Sequence, residues 1–268
     1  MDSDEQAERG AHHVQSLERG LAVIKAFSAE APHPTLSEVA RATGLTRAAA
    51  RRFLLTLVDL GYVRTDGKYF SLTARVLDLG YAYLSSLSLA EVAQPHLERL
   101  SAEVHESSSV SVLEATDVVY VARVAVSRIM TVSINVGTRF PAHATSMGHV
   151  LLAGMDNTEL KAYFIVAELD KLTARTLTEQ AALKVELARV REQGWAMVDQ
   201  ELEEGLRSVA APIRNRAGRV VAAVNISTHA SRTPIEAVRT KLVPPLLATA
   251  AAISDDLAVV STRRAMRG

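Results

Sequence analysis

The sequence predicts an α+β protein in two parts: a small N-terminal domain of three helices and a hairpin, then a larger domain of antiparallel sheet and helices. Two observations predict this. Residues 35–71 read as helix, glycine turn, helix, glycine and hairpin in close order. Beyond residue 106 the apolar period changes from helical to alternating, and the pattern stays mixed until a long C-terminal helical stretch. The chain has 268 residues, room for two domains, and 48% hydrophobic residues, enough for two cores. The expected divisions are residues 14–72, a linker helix over 73–88, and residues 89–260.

Taken in order, residues 1–13 are polar and charged without periodicity, which predicts a disordered tail and no signal peptide. The adjacent His12 and His13 on such a tail do not make a metal site. Ser16 is the expected N-cap of SLERGLAVIKAFS, with Leu17, Leu21, Ile24 and Phe27 on one face. Ala31-Pro32-His33-Pro34 ends that helix. Thr35-Leu36-Ser37-Glu38 starts a second, and Gly44 breaks it with a residue that tolerates positive φ. Thr46 can cap a third helix, whose Ala50, Phe53, Leu54, Leu57 and Val58 form one apolar stripe. After Gly61, Tyr62-Val63-Arg64 and Tyr69-Phe70-Ser71 flank Thr65-Asp66-Gly67-Lys68, a hairpin around an Asp-Gly turn.

The other face of the third helix carries Arg47, Ala48, Ala49, Arg51 and Arg52. Small residues let a helix sit deep in a major groove, and arginines reach base edges or phosphates from there. Arg64 and Lys68 put positive charge on the hairpin. From Arg41 to Arg75 seven basic residues stand against two acidic ones, a surplus of five in a chain whose formal net charge is zero. Arginines on a helix, taken alone, suit a solvated face as well. In this order of elements they point to a winged helix–turn–helix that binds double-stranded DNA.

Residues 74–86 read as a linker helix, with dimer contacts or a plain connection as alternative roles. Leu89 to Glu106 is amphipathic, with Val92, Leu97, Leu100 and Val104 inward. SSSVSVLEA and DVVYVARVA read as strands joined at Thr116-Asp117, and IMTVSINV as a third. Residues 137–141 turn the chain into a helix, HVLLAG, closed by Gly154. Helices are expected over 158–167 and 179–193, and a strand over WAMVDQ. LRSVAAPIR and RVVAAVNIST form a hairpin around Asn215-Arg216-Ala217-Gly218. Ile235 to Val260 is a last helix, kinked or delayed by Pro244-Pro245, before a basic tail expected to be disordered.

The chain has no cysteine, so thiol chemistry, disulfides and Cys-based zinc sites are excluded. No run of about 18 apolar residues predicts a membrane span, and a cytoplasmic protein is expected. No Gly-x-Ser-x-Gly, phosphate loop or metal-ligand set is present, and His143 and His149 lack a third ligand. No cofactor and no enzyme activity are expected. An aromatic-acid enzyme would need Ser208 paired with His143 or His149, without any supporting motif. A second domain that only oligomerises is the other alternative.

The combination resembles the IclR family of bacterial transcriptional regulators. The resemblance is carried by Ser16 to Leu21, Gly44 to Val63, Pro141 to Gly148 and Gly205 to Ile213. The stretches AAARRFLLTLVDLGYV, RVLDLGYAYLSSLSL, AQPHLERLS, ESSSVSVLE, YVARV and RIMTVSINVGTRFPAHATSMG resemble in particular the branch that regulates the β-ketoadipate pathway. The resemblance implies a GAF/PAS-like α+β effector domain behind the winged domain, a homodimer or tetramer on operator DNA, and a small aromatic or dicarboxylic acid as effector. It also implies a pocket lined by Thr145, Ser146, Met147, Asp199, Leu206, Ser208, Asn225 and Ser227. Ser146 stands where alanine is commoner in the family, and Asn225 where serine is. Independently, a helix starting after Thr145 offers free amides and a dipole that favour a carboxylate. Ser208, Asn225 and Ser227 have the spacing of one face of adjacent strands. On their residue types alone, Met147 and Leu206 suit a core, and Arg139 a surface or a carboxylate partner.

Overall fold

The computed structural model describes residues 13–28, 31–79, 89–126 and 134–265. Most of the expected N-terminal tail, of the linker helix and of the strand IMTVSINV lies outside them. Residues 76–79 are helical, and Ile134 to Val136 are not strand. The chain divides into two units, Met1–Ser86 and Leu87–Gly268.

In the first unit, α1 (Gln15–Lys25), α2 (Leu36–Thr43) and α3 (Arg47–Asp59) precede a hairpin of β1 (Val63–Thr65) and β2 (Phe70–Leu72). The signals are local and strong. Thr35 and Glu38 form a reciprocal capping box: the Thr35 amide donates to the Glu38 carboxylate at 2.7 Å, and the Glu38 amide to Thr35 Oγ1 at 3.4 Å. These bonds hold the Glu38 carboxyl below its usual range. Gly44 ends α2 at φ 66°, and Thr46 Oγ1 accepts the Ala49 amide at 3.2 Å to start α3. Val23, Val39, Leu54, Leu57, Val63 and Phe70 close the core. Asp66 accepts the amides of Lys68 and Tyr69 at 2.9 and 2.8 Å, which makes the turn.

Two expectations need correction here. Helix α1 starts at Gln15 with Val14 in the cap position and no side-chain cap, so Ser16 sits inside the helix. The strands begin one residue later than expected, because Thr65 Oγ1 donates to the Tyr69 carbonyl at 2.8 Å and leaves Tyr69 in the loop, bridged to Thr35.

The second unit is built on a six-stranded antiparallel sheet. Its strands are β3 (Ser107–Glu114), β4 (Asp117–Val124), β5 (Arg139–Pro141), β6 (Ala196–Asp199), β7 (Leu206–Arg214) and β8 (Val220–His229), in the order β5-β4-β3-β8-β7-β6. Both faces are covered. On one, α4 (Leu89–Val104) and α8 (Val243–Ala265) pack Leu97, Leu100, Leu246 and Ile253 against Val110, Val209, Val224 and Ile226. On the other, α5 (Ser146–Ala153), α6 (Asn157–Val166) and α7 (Gln180–Gln193) pack Met147, Leu152, Tyr163, Leu183 and Leu187 against Tyr120, Ala210 and Ala223. The fold is the α+β arrangement expected. No helix of the described residues is long and apolar enough to cross a membrane.

Further differences have physical reasons. The β3–β4 turn is Ala115-Thr116, and Asp117 is already paired with Glu114. Arg139–Pro141 is an edge strand on β4 rather than a turn; Arg139 bridges Glu114 and Asp117, and Pro141 is tolerated because it sits at the edge. Helix α5 begins three residues before His149, at Ser146. The C-terminal helix runs through a five-residue π-turn, Val238–Leu242, into α8. Pro244 and Pro245 cannot donate to the carbonyls one turn back, and the π-turn just before them is where the regular i→i−4 ladder is interrupted. The expected disordered tail is helical as far as Ala265.

Replacing Thr35 by alanine removes the capping box and costs about 1 kcal/mol of local stability. Amide exchange across α2 in the full chain should accelerate about fivefold. Unchanged exchange would show that the box does not hold the helix.

Candidate functional site

On α3, Ala50, Leu54 and Leu57 are buried, while Arg47, Ala48, Arg51 and Arg52 are exposed and Ala49 is half-buried. Arg64 and Lys68 are exposed on the hairpin, Lys68 with its ammonium 4.9 Å from the Tyr69 ring centre. The structure therefore groups the helix residues on one solvent-facing side and puts both hairpin cations on the same unit. Of the seven basic residues counted from Arg41 to Arg75, Arg75 is engaged locally, stacked 5.4 Å over Tyr62.

The second candidate site begins at α5. Thr145 caps it, its Oγ1 accepting the Gly148 amide at 3.0 Å. The amides of Ser146 and Met147, the first two of the helix, make no hydrogen bond among the described residues. This helix start is held tightly. His149 Nε2 donates to the His143 carbonyl at 2.6 Å, and His143 Nε2 to the Asp170 carbonyl at 3.0 Å. Burial depresses the His149 pKa, so the ring stays neutral and its role is structural. Each histidine engages a backbone carbonyl through Nε2, and His149 Nδ1 is buried without a partner among the described residues.

Beneath α5 lies a polar strip of sheet. Ser146 and Ser208 share a hydrogen bond at 2.9 Å. Ser208 is the register partner of Ser227, and the Asn225 amide donates to Ser227 Oγ at 3.0 Å. All four are buried, as are Thr145, Met147 and Leu206. Leu206 shares the face of Ser208 by alternation along β7. The structure does not bring Asp199 to this strip. It pairs with Arg207, one register step from the Val198–Ser208 pair, and so points to the opposite face. Its carboxylate accepts from Arg207, at 2.7 Å, and from Arg175.

Sequence reasoning missed three residues on the strip, Ser109, Ser111 and Arg123. Ser109 is the register partner of Asn225 and of Arg123, and accepts from the Arg123 guanidinium at 3.2 Å. Ser111 Oγ and Asn225 Oδ1 are buried without a partner among the described residues. The serines at 107, 109 and 111 in β3, with period two, were the available signal. Arg123 had none, because its face depends on an irregularity in β4.

Residues 81–255 match the family model described as the C-terminal domain of the bacterial transcriptional regulator IclR, and residues 16–67 match the IclR helix-turn-helix domain. The Pca regulon regulatory protein of Pseudomonas putida is 48% identical over 236 residues, covering 88% of this chain and 81% of that one. A crystal structure from Rhodococcus sp. RHA1, of a candidate transcriptional regulator, is 61% identical with a TM-score of 0.85, covering 92% of this chain and 100% of that one. An IclR homologue of Microbacterium hydrocarbonoxydans, solved in complex with 4-hydroxybenzoate, is 26% identical with a TM-score of 0.81, covering 91% and 99%.

Glu201, two residues beyond Asp199, gives a pH prediction. Burial above all, with Glu186 and Asp199 nearby, pushes its carboxyl up to about 7 from an ordinary 4.5, against the pull of the Leu177 amide. Between those values the folded state keeps a proton that the unfolded chain has lost, so stability falls as pH rises through the window. Glu201→Gln should therefore melt higher than the parent at pH 8, the gap closing towards pH 4.5. A gap independent of pH would remove Glu201 as its source.

Proposed function

The chain belongs to the IclR family of bacterial transcriptional regulators, and on that premise we propose that it controls genes of aromatic-acid catabolism in response to a small organic acid. It is a regulator and not an enzyme. Operator DNA is contacted by Arg47, Ala48, Ala49, Arg51 and Arg52 of α3, with Arg64 and Lys68 of the wing on the backbone. The acid, aromatic or dicarboxylic, binds between the start of α5 and the sheet. Thr145, Ser146, Met147, Leu206, Ser208, Asn225 and Ser227 form that pocket, and Asp199, paired with Arg207 on the opposite face of the sheet, is left out of it.

The observation that carries the effector reading is the buried strip itself. Ser208 bonds to Ser146 and Ser227 to Asn225, but Asn225 Oδ1 and Ser111 Oγ are buried without a partner among the described residues, beneath a helix start with two free amides, a cost that a polar ligand would offset. The kind of acid is suggested by the relatives, one named for the Pca regulon and one solved with 4-hydroxybenzoate. The protein acts in the cytoplasm as a homodimer or tetramer, so that two recognition helices meet two half-sites and the effector shifts the balance between arrangements of differing spacing.

Two measurements test this. Fluorescence anisotropy on the promoter region beside the gene should show salt-sensitive, sequence-specific binding. Arg51→Ala or Arg52→Ala should weaken it by about 1–3 kcal/mol where the arginine makes a bidentate base contact; equal affinity for scrambled DNA would defeat the DNA reading. A thermal-shift panel of protocatechuate, 4-hydroxybenzoate and adipate should give a dose-dependent rise with at least one, since a ligand bound only by the folded state stabilises it. No rise with any of them would defeat the effector reading.

A further inference from the structure

Strand β4 contains a β-bulge. Ser111 lies opposite Tyr120 but Val110 lies opposite Ala122, which leaves Val121 as an extra residue. In a regular strand, residues three apart point to opposite faces. The extra residue resets the alternation, so Tyr120 and Arg123 share one face. Packing agrees: Val121 and Ala122 both join the core under α4 and α8, while Tyr120 joins the core on the α5 side. The Arg123 guanidinium donates to Ser109 Oγ at 3.2 Å, on the same row as Asn225.

Arg123 is half-buried, and among the described residues its guanidinium meets no carboxylate. Residues 127–133, SRIMTVS, include no acidic side chain. Desolvation holds the guanidinium below its ordinary pKa, a sign that its charge is not compensated. A half-buried cation without a counter-charge gives up part of its hydration unrepaid, and a buried acceptor without a donor is costly too. Here both occur on one floor: Arg123 at one end, then the unpartnered Asn225 Oδ1 and Ser111 Oγ. At the other end stand the Ser146–Ser208 hydroxyls and the free amides of α5. Strand β4 is three strands from β7, about 14 Å at ordinary strand spacing.

We propose that Arg123 receives a carboxylate of the effector, and that the site is bipolar, selecting acids with a second oxygen function at the far end for the Ser146–Ser208 hydroxyls and the α5 amides. Arg123 is well suited to this: its fork can bind a carboxylate through two nitrogens while the bond to Ser109 fixes its direction. The acceptor left on Asn225 suits a hydroxyl of a ligand better than a second carboxylate oxygen.

The proposal rests on the organic-acid reading of this pocket, and the test separates the two. Whichever of 4-hydroxybenzoate, protocatechuate and adipate stabilises the full chain is titrated calorimetrically against the parent, Arg123→Gln and Arg123→Lys, alongside the same compound with one carboxylate replaced by carboxamide. The parent should prefer the acid to the amide by at least tenfold. Arg123→Gln should lose that preference, and Arg123→Lys should keep part of it. Retained operator binding and circular dichroism check that each variant is folded; should Arg123→Gln not fold, the acid-to-amide ratio of Arg123→Lys decides, and a ratio equal to the parent's overturns the proposal. An unchanged preference in Arg123→Gln overturns the role of Arg123 and leaves the pocket standing. No binding of any acid by the parent overturns both.

Discussion

A Cβ at position 148 would lie 2.0 Å from the Ala142 carbonyl oxygen. That lack of room is the constraint around which the effector unit is arranged. The 3₁₀ turn Ala142–Ala144 presses directly on the first turn of α5, and only glycine permits it. The contact fixes where α5 begins, and the His149–His143 bond locks it there. Its consequence is positional: the two free amides of α5 and the Ser146 hydroxyl are held over the sheet at Ser208 rather than turned to solvent. The anion-favouring end of a helix is thereby made part of an interior wall.

The sheet answers with a polar floor in an otherwise apolar layer. One face of β7 and β8 is aliphatic and packs against α4 and α8. The other carries Leu206, Ser208 and Ala210 on β7 and Ser227, Asn225 and Ala223 on β8, all of them buried. The same strands thus hold the unit together on one side and, in the function proposed, receive a ligand on the other. The separate N-terminal unit solves a simpler problem. Its few buried side chains hold α3 so that its arginines stand clear. As a member of the IclR family, the chain couples these two chemistries in one regulator.

How much of this was legible follows from how local each signal is. Thr35, Glu38, Gly44, Thr46 and the Asp66-Gly67 turn act within four residues, and the helices and hairpin they delimit could be read directly. Val14 replaced Ser16 as the cap because α1 takes no side-chain cap at all, which no propensity reveals. In the effector unit, existence and type of most elements followed from periodicity, but faces did not. The resemblance implies Asp199 in the pocket, but the register sets it opposite Arg207, facing away. Arg123 looked like an ordinary strand residue, since a bulge at Val121 depends on pairing with β3 and leaves no mark in β4 alone. The pocket residues are implied by the resemblance, with the helix start and the strand spacing beside it; the partnerless Asn225 Oδ1 and Ser111 Oγ emerge only from how β3 and β8 pair.

The most direct test of the account is a crystal structure of the full chain with 4-hydroxybenzoate or, if that acid does not stabilise the protein, with the acid that does. The account predicts density for the ligand between the first turn of α5 and the floor at Ser208, Asn225 and Ser109. Ligand bound elsewhere, with this floor closed by its own side chains, would contradict it.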